Sequence, residues 1–211
     1  MIVWLTGGSG LVGTELVKLL LSESKVKKIV SFGRKQLPFD HPKLVQAQLD
    51  WQTEHRPDLA FCCLGTTIKK AGSQANFRKV DHDLVLDFAR VAKERGAGKF
   101  VVVSAMGAKA SSKFFYNRVK GEMEQDLIKV GFDSLVIHRP SLLLGDRTEK
   151  RFGESLAIKL FPFFRPLLKG PLAKQQPIKA SAVASSMLKK GLSATSHVLV
   201  MRNEDMLAFQ A

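Results

Sequence analysis

Ile2-Val3-Trp4-Leu5-Thr6-Gly7-Gly8-Ser9-Gly10-Leu11-Val12-Gly13 decides the fold of this chain. Four apolar residues of strand length run into a glycine turn, and Leu11, Val12, Leu16, Val17, Leu19 and Leu20 then follow a helical stripe. Glycines at 7, 10 and 13 give G-x-x-G-x-x-G between a strand and a helix. Each glycine has a separate reason to be there. The first permits the tight turn, the second lets backbone approach a pyrophosphate, and the third lets helix and strand pack closely. The helix N-terminus then offers unpaired N–H groups and a dipole that favour an anion. A glycine turn alone is weak evidence, but strand before and amphipathic helix after are the context that the motif requires.

Outward from that turn, strand-like runs alternate with longer helical segments. Ile29–Phe32, Leu44–Leu49, Leu59–Leu64, Phe100–Val103, Leu135–Ile137 and Val198–Met201 read as further strands. Residues 73–95 carry Phe77, Val80, Leu84, Phe88 and Val91 at helical spacing, and a second helix is expected over Lys113–Val130. Phe100–Val103 is wholly apolar and so expected to be buried on both faces. The pattern is that of an α/β protein with a Rossmann-like, doubly wound parallel sheet in three α/β/α layers. At 211 residues it fits one domain. Residues 1–140 would form the dinucleotide-binding core, 141–195 a small substrate cap and 196–211 the final strand and tail. The cap is inferred from a change of texture after Pro140, with the Phe161–Phe164 cluster and no Asp or Glu from Ser155 to Asn203.

Charge narrows the partners. Lys plus Arg number 33 against 19 Asp plus Glu, a net charge of +14, which suits anionic ligands. The basic residues are spread along the chain, without aromatics interleaved on a strand face or a recognition-helix motif, so nucleic acid is not the expected partner. No run approaches the roughly 20 apolar residues of a membrane span. The start has no basic n-region, so a signal peptide is not expected. Cys62 and Cys63 are adjacent in an apolar run, which excludes a disulfide framework and points to a reducing, cytoplasmic location. Five scattered histidines show no metal-ligand spacing, so no metal is expected.

The end of the second strand speaks to the cofactor. An NAD-binding fold places an acidic residue there against the ribose 2′-hydroxyl. This chain has Gly33-Arg34-Lys35 instead, and two cations suit a 2′-phosphate, so NADP(H) is expected over NAD(H). Asp50, after the third strand, is a candidate for the adenine amino group or a turn residue. The only tyrosine, Tyr116, lies four residues before Lys120, on one helix face, and the preceding strand ends in Ser104. Parallel strands bring their carboxyl ends to one edge of the sheet, so Ser104, Tyr116 and Lys120 could meet beside a nicotinamide. A tyrosine is a poor acid–base catalyst at neutral pH, and an adjacent ammonium favours its phenolate. In this arrangement Lys120 would also hydrogen-bond the ribose and Ser104 would hold a substrate carbonyl oxygen.

These residues resemble the atypical short-chain dehydrogenase/reductases, and more closely their Tat-interacting-protein-like oxidoreductase branch. The likeness runs from Thr6 to about Arg147. It rests on Thr6-Gly7-Gly8-Ser9-Gly10-Leu11-Val12-Gly13, Gly33-Arg34, Cys62-Cys63-Leu64-Gly65-Thr66-Thr67, Lys70-Ala71-Gly72, Val80-Asp81, Tyr116 with Lys120-Gly121-Glu122, and Arg139-Pro140. The resemblance implies NADP binding, with Leu64, Gly65 and Thr66 lining the cofactor and Pro140, Ser141 and Leu142 near the nicotinamide. The Asn-Asn-Ala-Gly of better-known members is replaced by Leu-Gly-Thr-Thr, which removes their asparagine-based proton relay. Two functions follow. One is an NADP-dependent reductase of a small carbonyl substrate using Tyr116, Lys120 and Ser104. The other is a non-catalytic NADPH-binding regulator that acts through a protein partner.

Overall fold

The computed structural model describes residues 1–145 and 175–210. Seven strands form one parallel sheet: β1 (Ile2–Thr6), β2 (Lys28–Phe32), β3 (Leu44–Ala47), β4 (Leu59–Cys62), β5 (Lys99–Val103), β6 (Ser134–Arg139) and β9 (Val198–Arg202). Their order, β3-β2-β1-β4-β5-β6-β9, is that of a Rossmann-like sheet with one strand added at the far edge. The order reverses between β1 and β4, whose register sets Thr6 beside Cys62. The crevice at that switch point is where ligands bind in open α/β sheets.

Alternation along each strand builds two cores. Val3, Leu5, Ile29, Leu59, Phe61, Val101 and Val136 face one side, against α1 (Leu11–Ser22) and α6 (Ala180–Ser193). Trp4, Val30, Phe32, Ala60, Cys62, Phe100, Val102 and Ile137 face the other, against α4 (Leu84–Glu94) and α5 (Phe115–Val130). The second core is aromatic. Trp4 meets Phe32 edge-on at 4.9 Å, Phe32 meets Trp51 at 5.5 Å, and Phe100 stacks on Phe132 at 4.9 Å. Burying each such ring stabilises the fold by about 2–3 kcal/mol.

Two expectations need correction. The single helix foreseen over residues 73–95 is α3 (Gln74–Arg78), a π turn (Lys79–Asp83) and α4, preceded by the short α2 (Ile68–Ala71). The widened turn lets two successive polar residues, Asp81 and His82, both face inward. The second correction concerns the segment assigned to the cap. Its later part, α6, packs along α1 and onto β5 and β6, with Ala182, Val183, Ala184 and Met187 buried in the first core. Gly191 makes room for this, since a Cβ there would lie 2.8 Å from the Phe61 ring. Helical residues so apolar on one face belong to the sheet layer, not to a lobe over it. The Phe161–Phe164 cluster and most of the acid-free stretch before α6 lie outside the described residues.

The chain approaches and leaves that stretch at one place. β7 (Leu143–Leu144) pairs in parallel with β8 (Ile178–Lys179). Asn203, at the start of α7 (Asn203–Leu207), receives the Ser141 N–H on its carbonyl oxygen at 2.9 Å and donates its amide to the Gln176 carbonyl at 2.8 Å. Ser141 Oγ donates to that same carbonyl at 2.5 Å.

Candidate active site

The glycine turn is built as tightly as its sequence demands. Gly7 has φ +78°, a left-handed conformation, and a Cβ there would sit 2.4 Å from the carbonyl carbon of Cys63. A Cβ on Gly13 would sit 2.1 Å from the Gly7 carbonyl oxygen. The turn after β1 and the loop after β4 therefore touch backbone to backbone, which brings Thr6 and Gly7 against Cys63 and Leu64. Gly10 is the N-cap of α1 and brings no side chain to the helix end, and the first turn holds no acidic residue. Among the described residues, no capping side chain and no first-turn carboxylate meets the N–H groups of Leu11, Val12 and Gly13, so they could receive an anion. This cradle fits the diphosphate of a dinucleotide.

The basic pair lies on a loop fixed to that cradle. The Leu37 N–H donates to Gln46 Oε1 at 2.6 Å, and Gln46 Nε2 donates back to the Leu37 carbonyl. Leu37 is buried against Gly8, where a Cβ would come within 3.1 Å of it. Arg34 and Lys35 are exposed between the carboxyl end of β2 and Leu37. They could reach a phosphate on the adenosine ribose. Asp50 lies in the loop after β3. It is exposed and its Oδ1 accepts the Gln52 N–H at 3.1 Å, closing a turn around Trp51, whose φ is +59°.

Tyr116 and Lys120 lie one turn apart on α5. Tyr116 is partly exposed, its ring 5.3 Å from Phe77, whereas Lys120 is 3% exposed. Lys120 Nζ lies 2.8 Å from Asp81 Oδ1, and Asp81 is itself buried. Asp81 Oδ2 accepts the Thr66 N–H at 2.8 Å. Burial opposes the charge on Lys120, but the Asp81 carboxylate and then Tyr116 more than offset it, so the ammonium is held above its ordinary value. Gly121, next in sequence, admits the β5–α5 loop: a Cβ there would lie 2.2 Å from the Ala110 nitrogen.

Ser104 is used differently from the expectation. It is buried, and its Oγ donates to Glu124 Oε1 at 2.5 Å instead of facing a substrate carbonyl. Glu124 lies one turn beyond Lys120 on the same face of α5 and is also clamped by Arg139, whose Nε reaches Oε1 at 3.0 Å and whose Nη2 reaches Oε2. A buried carboxylate needs such partners, and Ser104 is one of them. Pro140, next in sequence to Arg139, is buried and its carbonyl accepts the Met106 N–H at 2.8 Å.

Three residues that carry this geometry were not singled out as site residues in the sequence: Asp81, Glu124 and Arg139. One signal was available. Tyr116, Lys120 and Glu124 are spaced i, i+4, i+8, and the last two occupy the buried face of α5 where leucine would ordinarily sit. Polar residues on an apolar stripe require buried partners elsewhere in the chain.

Residues 58–168 match the family model described as HIM1. The chain belongs to the HIM1 family. A Candida albicans relative, Protein FMP52, mitochondrial, is 34% identical over 98% of this chain and 97% of its own length. Protein HTATIP2 of Rattus norvegicus is 40% identical over 75% of this chain and 69% of its own length. The HIM1 chain also shares its fold with MoeE5, solved in complex with UDP-glucose and NAD, at TM-score 0.72 and 13% identity over 99% of this chain and 80% of that one. Membership agrees with the branch that the sequence resembles. The cytoplasmic location is corrected by these relatives, because HIM1-family proteins from several fungi are named as mitochondrial. Cys62 is fully buried in the sheet, where packing explains a thiol without reference to compartment.

Proposed function

We propose that this protein binds NADP(H) in preference to NAD(H) and reduces the carbonyl group of a small substrate. The observation that carries the reading is Tyr116 one turn above the buried Lys120 ammonium, on the helix that follows β5. Support also comes from the glycine cradle, from Arg34 and Lys35 at the end of β2, and from a fold shared with a protein that holds NAD. The names of the fungal relatives support a mitochondrial setting.

A reduced nicotinamide, when bound, would supply the hydride for the carbonyl carbon. Tyr116 gives its hydroxyl proton to the oxygen as negative charge develops there, and Lys120 stabilises the phenolate left behind. The Leu11–Gly13 N–H groups would hold the diphosphate, Leu64, Gly65 and Thr66 would line the cofactor, Lys120 would anchor the ribose, and Arg34 with Lys35 would hold the 2′-phosphate. Ser104 supports Glu124 and so fixes the pose of α5.

A fluorescence titration with NADPH and NADH, followed by a carbonyl screen with Tyr116→Phe as control, tests this. Tighter binding of NADPH, with turnover lowered about 100-fold or more in Tyr116→Phe at unchanged NADPH affinity, is the expected result. Failure of both nucleotides to bind overturns it. The commitment of Ser104 to Glu124 favours a second reading, binding without turnover, in which NADPH orders a protein-docking surface. NADPH binding together with no Tyr116-dependent reduction would select it.

A further inference from the structure

Asp81 stands where two parts of the site are joined. Its carboxylate is 1% exposed and has two partners on different elements. Oδ1 meets the Lys120 ammonium of α5, and Oδ2 meets the Thr66 N–H in the loop after β4. The loop passes directly over it, since a Cβ on Gly65 would lie 3.5 Å from Oδ1. The end of α3 and the π turn that delivers Asp81 grip α5 on either side as well. Arg78 pairs with Glu122, and His82 Nε2 lies 3.1 Å from Asp126 Oδ2. Phe77 packs under Phe115 and Tyr116, with ring centroids 5.8 and 5.3 Å away.

We propose that Asp81 is the positioning residue of this site, holding the Lys120 ammonium beside Tyr116 with one oxygen and the Leu64–Thr66 loop with the other. The proposal rests on the roles given to Tyr116 and Lys120 above and deepens them. A buried ammonium loses its hydration and keeps its proton only beside an anion. A neutral amide at residue 81 has a single acceptor oxygen, and with that oxygen kept on the Thr66 N–H it turns its NH2 group toward Lys120. The two duties of the carboxylate are therefore separable by substitution. Asp81→Asn keeps the loop and loses the charge, whereas Asp81→Ala loses both.

The test needs no substrate. Lysine ε-carbons of the full chain are labelled and titrated by NMR, with the Lys120 resonance identified by its absence in Lys120→Met. Backbone amide exchange at Thr66 is followed in the same proteins. In Asp81→Asn the Lys120 titration should move down by about one pH unit or more. Thr66 exchange should stay within a few-fold of the parent chain in that variant and rise about tenfold or more in Asp81→Ala. An unmoved Lys120 titration in Asp81→Asn overturns the electrostatic half of the proposal. Unchanged Thr66 exchange in a folded Asp81→Ala overturns the loop half. If Asp81→Ala does not fold, exchange at Thr66 in Asp81→Leu takes its place. Tyr116→Phe measured in parallel keeps the two readings apart. Retention of NADPH-dependent reduction in Tyr116→Phe would remove the proton-donor role while leaving the lysine titration and amide exchange to decide the part of Asp81.

Discussion

Gly13 sits so close to Gly7 that a Cβ on the helix residue would lie 2.1 Å from the turn residue's carbonyl oxygen. The contact is backbone against backbone, so no rotamer can relieve it. Gly13→Ala is expected to destabilise the protein by about 2 kcal/mol or more. It should also weaken NADPH binding at least tenfold by displacing the turn. Urea denaturation and a fluorescence titration on the same preparation would show both. A variant that binds normally would mean that the turn does not hold the diphosphate.

Arg34 and Lys35 project from a loop that Gln46 and Leu37 fix to the glycine turn. Charge-assisted bonds to a phosphate are worth about 1.5–3 kcal/mol. Arg34→Ala with Lys35→Ala is therefore expected to weaken NADPH binding about 10- to 100-fold and leave NADH binding almost unchanged. Parallel loss of both nucleotides would contradict a 2′-phosphate site.

Glu124 is buried between Ser104 and Arg139. Removing the arginine leaves an uncompensated carboxylate, and Arg139→Ala should cost about 3 kcal/mol of stability. Ser104→Ala removes one hydrogen bond and should cost about 1 kcal/mol. Its effect is expected in denaturation midpoints and not in a substrate KM. A large KM effect at full stability would return Ser104 to the substrate.

His138 is fully buried in β6, its Nε2 3.1 Å from Ser186 Oγ and its Nδ1 without a hydrogen-bond partner among the described residues. Burial pushes it down from 6.5 to about 3. Above pH 6.5 the imidazole is neutral folded and unfolded, and it adds no pH dependence. Between 6.5 and about 3 the unfolded chain takes up a proton that the native state refuses, so acid destabilises the fold through this residue. The contribution approaches a tenfold change in the folding constant per pH unit. His138→Leu should flatten that part of the pH–stability curve measured by urea denaturation. An unchanged slope would exclude His138 as its source.

Much of this was legible in the chain itself. The strand–glycine turn–helix at residues 2–20 fixes the first βα unit, because period-2 and period-3.6 patterns and the steric needs of Gly7, Gly10 and Gly13 are local properties. The seven strand runs and their parallel order follow from similarly local signals and from chain connectivity. Tyr116 and Lys120 share a helix face for the same reason, and Arg34-Lys35 follows from its place after the second strand.

Partner choice among buried polar groups was not legible, because it depends on which distant residues the fold brings within 3 Å. Nothing near Ser104 in sequence says that Glu124 will accept its hydrogen bond, and nothing near Lys120 names Asp81. The break in the helix at residues 79–83 has the same origin. Its local periodicity is helical throughout, but burying both Asp81 and His82 requires partners on α5 and after β4, and the backbone widens to meet them. α6 likewise falls in the stretch assigned to a cap until α1 and the sheet supply the surface that buries it. The local pattern of the chain determined its elements and the glycine cradle. Long-range pairing of charges, which only folded proximity can create, decided how the helix carrying Tyr116 is held.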